Sequence, residues 1–384
     1  MTATPFRSSW MNEELDLLRD SVRRFFEAEA VPNDHRWNQQ KHVDREFWRK
    51  AGEVGILCAG IPAEYGGAGG TFAHEAVIFE EQGRAACTSF GNHVHSGISA
   101  HYVNAYGSEA QKRRYLPKLA SGEMVAAIAM TEPGAGSDLQ NIKTRAVRDG
   151  DHYVISGAKT FISNGSQADL LVLAVKTNLD AGGRGISMLL VETADLPGFR
   201  RGKILDKVGM HGQDTSELFF DEARVPVEAL LGVAEGQGFA QMMQQLPRER
   251  VIIALQALAT AERAVELTHQ YTHERKAFGK HIADFQNTRF SLAECHTEAR
   301  IGRVFIDHCI EKLLVAELDT ATASMAKYWI TDKQCEIVDT CLQFFGGYGY
   351  IAEYPIARMF ADARVQKIYG GANEIMKEVI ARSM

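Results

Sequence analysis

The run "VAAIAMTE" at residues 125–132, with "HYVISGAKTFIS" at 152–163 behind it, breaks the helical spacing of everything before it. Both are short, apolar and bounded by glycine, aspartate or proline, which is how strands joined by turns read. "ADLLVLAVKT" (168–177), "GISMLLVE" (185–192) and "SELFFDEARVP" (216–226) continue the pattern. About 100 residues from Met124 onward therefore form a β unit.

On either side the period is helical. Upstream, "ELDLLRDSVRRFFEAEA" puts Leu15, Leu18, Val22, Phe25 and Phe26 on one face and stops near Pro32. Further helices are predicted near 45–55, 71–86, 92–106 and 109–120, with "PAEYGGAGG" as a glycine-rich loop. Downstream of "LLGVAEGQGFA", helices are predicted near 237–246, 248–277, 284–313, 317–346 and 355–383. Small residues (Ala254, Ala257, Ala259, Ala261) permit close helix approach, and short connections imply antiparallel neighbours in a four- or five-helix bundle. The result is an α+β chain ordered helical, β, helical, with units at 1–123, 124–233 and 234–384.

Composition excludes several classes. The 384 residues are 45% hydrophobic, enough for a large core, and 42 Lys+Arg against 49 Asp+Glu gives a net charge of -7 with no basic stripe for a nucleic acid. No 18 consecutive apolar residues occur, so no membrane span is expected. The opening "MTATPFRSSWMNEELDLLRD" has no apolar core, which reads as a cytoplasmic protein, with a mature mitochondrial matrix form as the alternative. Six cysteines without a C-x-x-C pair suit free thiols. The pairs His93/His95 and His269/His273 lack a third ligand, so no metal is expected.

Several stretches have the composition of a binding site. "AMTEPGAGSDL" (129–139) leaves a strand into a glycine turn, where backbone N–H groups and the hydroxyls of Thr131 and Ser137 suit a phosphate or a ring edge, or simply a tight loop. It is no dinucleotide fingerprint, lacking a third glycine and a crossover helix. In "KTFISNG" (159–165), period two puts Phe161 and Ser163 on one face, to stack on and hydrogen-bond a ring system or to form a half-buried strand. "HERKAFGKHIADFQ" (273–286) reads locally as a capped helix end. "QFFGGYGYIAEYP" and "IYGGANEIMKE" each carry a Gly-Gly pair beside aromatics, marking a tight turn, a helix boundary or a ligand approach. In "QQLPRERVIIALQAL" (244–258), Pro247 suits a first helical position and Glu249 the first turn, where a carboxylate complements the helix dipole.

Taken in order, "MTEPGAGSD", "FISNG", "ERKAFGK", "FFGGYGY" with "EYP", and "IYGGANEIMKE" resemble the acyl-CoA dehydrogenases, closest to their long-chain branch. The resemblance covers essentially the whole chain. It implies three domains: N-terminal helices, a middle β-barrel or sandwich, and a C-terminal four-helix bundle. It further implies FAD, an acyl-CoA substrate, a place in fatty-acid β-oxidation, electron-transfer flavoprotein as acceptor, and a homotetramer built as a dimer of dimers. By position, Ile128, Met130, Thr131, Ser137, Phe161 and Ser163 match flavin contacts, with Ser137 also reaching substrate and Phe161 standing where many relatives carry Trp. Arg275, Phe278, Gln286, Gln343, Gly346 and Gly347 match residues that hold the ADP half of FAD across a subunit interface. Ala372 replaces a common Thr at a flavin contact, with Glu374 nearby.

Gly370 stands where medium- and short-chain members carry the catalytic glutamate. The long-chain and isovaleryl branches resemble this chain in having glycine there, and they supply the base from the helix starting at "LPRER", which makes Glu249 the base. Pro247, Arg250, Gly370 and Gly371 then border the substrate, with the Gly370 N–H donating to the thioester carbonyl. An apolar pocket raises the Glu249 pKa, while a helix N-terminus and Arg250 lower it; the sequence leaves the balance open. An O2-using acyl-CoA oxidase or flavin monooxygenase, and a non-catalytic acyl-CoA-binding or assembly protein, are alternatives on the same fold.

Overall fold

The computed structural model describes residues 6–384; the first five residues of the N-terminal stretch read above lie outside them. The N-terminal part is helical: α1 Glu13–Phe25, α2 Asp34–Gln40, α3 Arg45–Glu53, α4 Phe72–Arg84, α5 Asn92–Val94, α6 Ala100–Tyr106 and α7 Glu109–Ala120. The α1 face predicted from spacing is the packed one, with Leu15 and Val22 buried and Asn12 accepting from the Leu15 N–H as cap. Between α5 and α6 the backbone widens into a π-turn, His95–Ser99, in place of one unbroken helix.

Seven strands follow: β1 Ala126–Ala129, β2 Arg145–Asp149, β3 His152–Ser163, β4 Leu170–Lys176, β5 Ile186–Glu192, β6 Phe199–Ile204 and β7 Thr215–Pro226. They join into one hydrogen-bonded sheet in the order β1-β4-β2-β3-β7-β6, with β5 on β4. The ladder between β3 and β7 shifts register at Ile155/Gly157 and Lys159/Ile162, bulges that bend the sheet around its own core. Leu171, Leu173 and Val175 of β4 fill that core with Tyr153, Ile155 and Leu218. The alternate residues Leu170, Val172 and Ala174 face α6 and α7. A strand covered on both faces reads as a continuous apolar run, hence "LLVLAV". β2 and β6 escape a sequence reading because only Ala146 is buried in one and none in the other.

The C-terminal bundle comprises α8 Gly238–Glu274, α9 Gln286–Leu314, α10 Thr320–Phe344, α11 Pro355–Gln366 and α12 Asn373–Ala381. Two expectations need correction. The single helix predicted over 355–383 is two, separated by the left-handed Gly370 and Gly371. The two helices predicted to meet at Pro247 are one helix of 37 residues. Interior proline costs about 3 kcal/mol, but Val251, Ile252, Leu255 and Leu258 are buried just beyond it and each contributes about 1.5–3 kcal/mol. Burial therefore carries the helix through.

Candidate active site

A cavity of about 430 Å³ opens where the β unit meets the bundle. One wall is the end of β1 and its following loop (Ile128, Met130, Thr131, Ser137) with the end of β3 (Phe161, Ser163); the other is α8 with Gly370 and Gly371. Glu249 and Arg250 of α8 are part of that lining. The structure thus gathers most of the flavin-edge and acyl-site residues expected from sequence into one volume, Pro247, Ala372 and Glu374 excepted.

Glu249 lies eleven residues into α8, about 16 Å from its first residue, so the expected pull of a helix N-terminus is absent. Three consecutive residues point three ways. Arg248 is ion-paired to Glu75 of α4 and bonds the Gly97 carbonyl in the π-turn. Arg250 reaches α10, its Nη1 donating to Ser324 Oγ at 3.1 Å. Glu249, 6% exposed, faces the cavity and accepts at Oε1 from the Tyr102 hydroxyl at 3.1 Å. Burial pushes its pKa from 4.5 up to about 7 against the opposing Tyr102 hydrogen bond and the charges of Arg248 and Arg250. The balance left open by the sequence is settled by desolvation, at a value suited to a general base at neutral pH.

Beside α8 on the same wall, Gly370 (φ +66°) and Gly371 (φ +97°) hold left-handed backbone. A Cβ at 370 would lie 2.3 Å from Ile253 Cδ1, one helical turn beyond Glu249. Ile253 therefore takes the space from which a side chain at 370 would enter. Beneath the turn, the buried Lys327 ammonium donates to the Gly371 carbonyl (2.7 Å) and to Asn373 Oδ1 (2.9 Å). Among the described residues nothing accepts from the Gly370 N–H, which leaves a free donor in the cavity wall.

The opposite loop is anchored by a pair that the sequence reading passed over. Lys159, 1% exposed on β3, donates to Glu132 Oε1 at 2.8 Å and to the Met130 carbonyl at 3.0 Å. Glu132 also accepts from the N–H groups of Lys143 and Thr144, closing the loop that carries Thr131 and Ser137. Alternation from Tyr153 and Ile155 puts Lys159 on the inward face, and a lysine there requires a carboxylate. Lys159→Met should lower stability by about 3–5 kcal/mol, leaving Glu132 buried and unpaired, and weaken cofactor retention. Thermal melts with and without added FAD check this, and an unchanged melt with full retention would refute it.

Phe161 and Ser163 reach the cavity by a different route from simple alternation. The Lys159/Ile162 bulge gives Phe161 a left-handed backbone (φ +59°) and leaves its ring 65% exposed. Such a conformation is rare for a bulky residue and is a feature of functional sites. His93, Ile253 and Tyr369, none predicted as site residues, are also in the lining. No spacing signal marks them, because they come from three separate elements.

The remaining predicted residues lie elsewhere. Pro247, inside α8, does not line the cavity, nor do Ala372 and Glu374 at the start of α12. Arg275, Phe278, Gln286, Gln343, Gly346 and Gly347 are exposed at the far end of the bundle. The expected helix cap at 275–279 is a hairpin instead: α8 stops at Glu274, β8 (Lys276–Ala277) and β9 (Lys280–His281) pair, and Phe278 (φ +52°) and Gly279 (φ +79°) make the turn. Phe278 is 94% exposed at its tip. Stacking of Tyr271 on Phe345, with ring centroids 4.3 Å apart, ties the hairpin's base to the end of α10 beside Gly346 and Gly347.

A second cavity of about 360 Å³ between α1, α4, α8 and α9 is lined by arginines and glutamates paired with one another, including Arg303 with Glu80 and Glu262. Among the described residues no cluster of three His, Cys, Asp or Glu is placed to hold a metal ion, and no helix is long and apolar enough to cross a membrane.

A three-domain fold with a carboxylate facing a cavity at the sheet–bundle junction defines a class, and comparison with known proteins agrees. Family models for the acyl-CoA dehydrogenase N-terminal, middle and C-terminal domains match residues 12–123, 127–223 and 236–384. The chain belongs to the acyl-CoA dehydrogenase family and is an FAD-dependent oxidoreductase. It is 45% identical to the mitochondrial long-chain specific acyl-CoA dehydrogenase of Sus scrofa over 97% of this chain and 87% of that one. An acyl-CoA dehydrogenase structure from Geobacillus kaustophilus superposes with a TM-score of 0.96 at 46% identity, covering 98% of this chain and 99% of that one. A glutaryl-CoA dehydrogenase from Mycobacterium smegmatis in complex with FADH2 superposes with a TM-score of 0.91 at 28% identity, covering 97% and 95%.

The cavity fits that cofactor. Its β-side wall offers the exposed Phe161 ring and the hydroxyls of Thr131 and Ser163, and the buried His93 Nδ1 in the same lining has no hydrogen-bond partner.

Proposed function

We propose that this enzyme oxidises a long-chain or branched acyl-CoA to its trans-2-enoyl-CoA, with Glu249 removing the α proton. The observation that supports it most is the buried Glu249 carboxylate on a cavity wall shared with a glycine turn whose Gly370 N–H has no acceptor among the described residues. FAD, when bound, supplies the acceptor for the β hydrogen and its electron pair. Glu249 takes the proton, the Gly370 N–H steadies the negative charge developing on the thioester oxygen, and the apolar walls exclude water, strengthening both interactions. Ser137, Arg250 and Gly371 border the substrate, Met130, Thr131, Phe161 and Ser163 the flavin. The exposed Arg275, Phe278, Gln286, Gln343, Gly346 and Gly347 suit the ADP half of FAD held between two copies of the chain in a dimer of dimers. Electron-transfer flavoprotein is the proposed acceptor, the cytoplasm the proposed compartment, and 1–123, 124–233 and 234–384 the proposed domain limits.

Anaerobic addition of thioesters from four to sixteen carbons, straight and branched, tests this. Long chains should bleach the oxidised flavin fastest, and no bleaching by any of them would refute the reading. The pH dependence is a further expected result. Glu249 works only when ionised, so the reduction rate should fall about tenfold per pH unit below 7 and level off above about 8. A flat stopped-flow profile from pH 5.5 to 8 would contradict it.

A further inference from the structure

The base is held by a residue that does not line the cavity. Tyr102, 0% exposed on α6, is packed in the core between that helix, the outer face of β4–β5 and Met242 of α8. Its hydroxyl meets Glu249 Oε1 at 3.1 Å from outside the cavity lining. Among the described residues it is the single hydrogen-bond donor to this carboxylate, so Oε2 is left for the reacting carbon.

Resting on the reading of Glu249 as base, we propose that Tyr102 is its positioning residue. The buried hydroxyl anchors one carboxylate oxygen, directs the other at the substrate and favours the ionised form in an apolar wall. Two roles follow from one bond. A charge-assisted hydrogen bond to a buried carboxylate stabilises the anion and not the acid, so the donor opposes the burial that raises the base's pKa. Because Tyr102 is fully buried in the core, the bond also removes rotational freedom from a side chain that must meet one carbon. Burial and the adjacent carboxylate push the phenol well above its ordinary range, so it remains a donor wherever Glu249 is ionised.

Other groups around Glu249 do not replace it. Arg248 is turned to Glu75 and Arg250 to Ser324; Tyr106 bonds the Gln241 carbonyl and the Gln244 side chain; His93 is kept neutral by burial, at about 4. Lys327, behind Arg250 and brought down to about 7 by burial, titrates in the same range but bonds Gly371 and Asn373. Only a midpoint belonging to Glu249 should respond to Tyr102.

The test is anaerobic flavin reduction by acyl-CoA against pH, using FAD-loaded wild type, Tyr102→Phe and Glu249→Gln. Tyr102→Phe should retain FAD and move the midpoint up by about one pH unit, so the rate at pH 6 falls about tenfold. The plateau at high pH, against which that tenfold is measured, should drop by about threefold, because a carboxylate no longer anchored meets the substrate carbon less often. An unmoved midpoint, with or without a lower plateau, would make Tyr102 a packing residue and overturn the proposal. Should Tyr102→Phe fail to fold, incorporation of 3-fluorotyrosine at 102, a stronger donor, should move the midpoint down, and no movement overturns the proposal equally. Reduction that persists in Glu249→Gln would sink the base assignment itself; Glu249→Gln inactive with an unmoved Tyr102→Phe midpoint would sink only the role of Tyr102.

Discussion

Glu249→Gln should bind FAD, accept acyl-CoA and fail to bleach the flavin, with a rate lower by about 10²–10⁴-fold, the span of a positioned general base. The same substitution should raise stability at alkaline pH. Glu249 titrates at about 7 in the folded chain against 4.5 as its ordinary value, so the fold binds that proton more tightly than the unfolded chain does. Its favourable contribution is complete below pH 4.5 and is lost as pH rises through 7, a difference of about 3 kcal/mol at 1.36 kcal/mol per unit. Glutamine carries no charge to desolvate, so denaturant melts at pH 6 and pH 9 should differ less for Glu249→Gln than for wild type. Loss of activity together with this flattening separates a desolvated base from a residue whose removal merely damages the site. Retained bleaching would assign the base elsewhere.

Gly370→Ala should disable the site from the glycine turn beside α8. Left-handed backbone costs a non-glycine residue about 1–2 kcal/mol, and the added Cβ would sit 2.3 Å from Ile253 Cδ1. The contact is with the end of a flexible side chain, so Ile253 must rotate, into the cavity that Glu249 also faces. Flavin reduction should fall about 10²-fold, the effect of misplacing reacting groups by about 1 Å. Ile253→Val removes the clashing methyl and alone costs about 0.5–1.5 kcal/mol. Combined with Gly370→Ala it should cost less than the sum of the two, a coupling of about 1 kcal/mol that leaves the backbone strain behind. Strict additivity in denaturant melts and in reduction rates would show that the two side chains do not share this space.

Much of this arrangement was readable from residues because its causes are local. The strand at 152–163 follows from composition and bounding turns, the α1 face from its period, and β4 from an unbroken apolar run. What escaped depends on packing between distant segments. Pro247 stops a helix by local rules, and only the buried face beyond it explains why α8 continues. That continuation removes the helix-dipole effect expected at Glu249 and leaves burial in control of its proton. Tyr102 and Glu249 are 147 residues apart, so no spacing could have paired them. Family motifs pointed to the proposed base and flavin contacts; the structure adds what holds those residues, namely Tyr102, the Lys159–Glu132 pair and Lys327 under the glycine turn.

The most direct test is a crystal structure of FAD-loaded Glu249→Gln with a long-chain acyl-CoA bound, a complex that should not turn over. The account predicts the side chain at 249 within about 3–3.5 Å of the thioester's α carbon, the separation of a near-attack geometry, with the Gly370 N–H on the carbonyl oxygen. A side chain at 249 turned away from that carbon, with another carboxylate in its place, would contradict it.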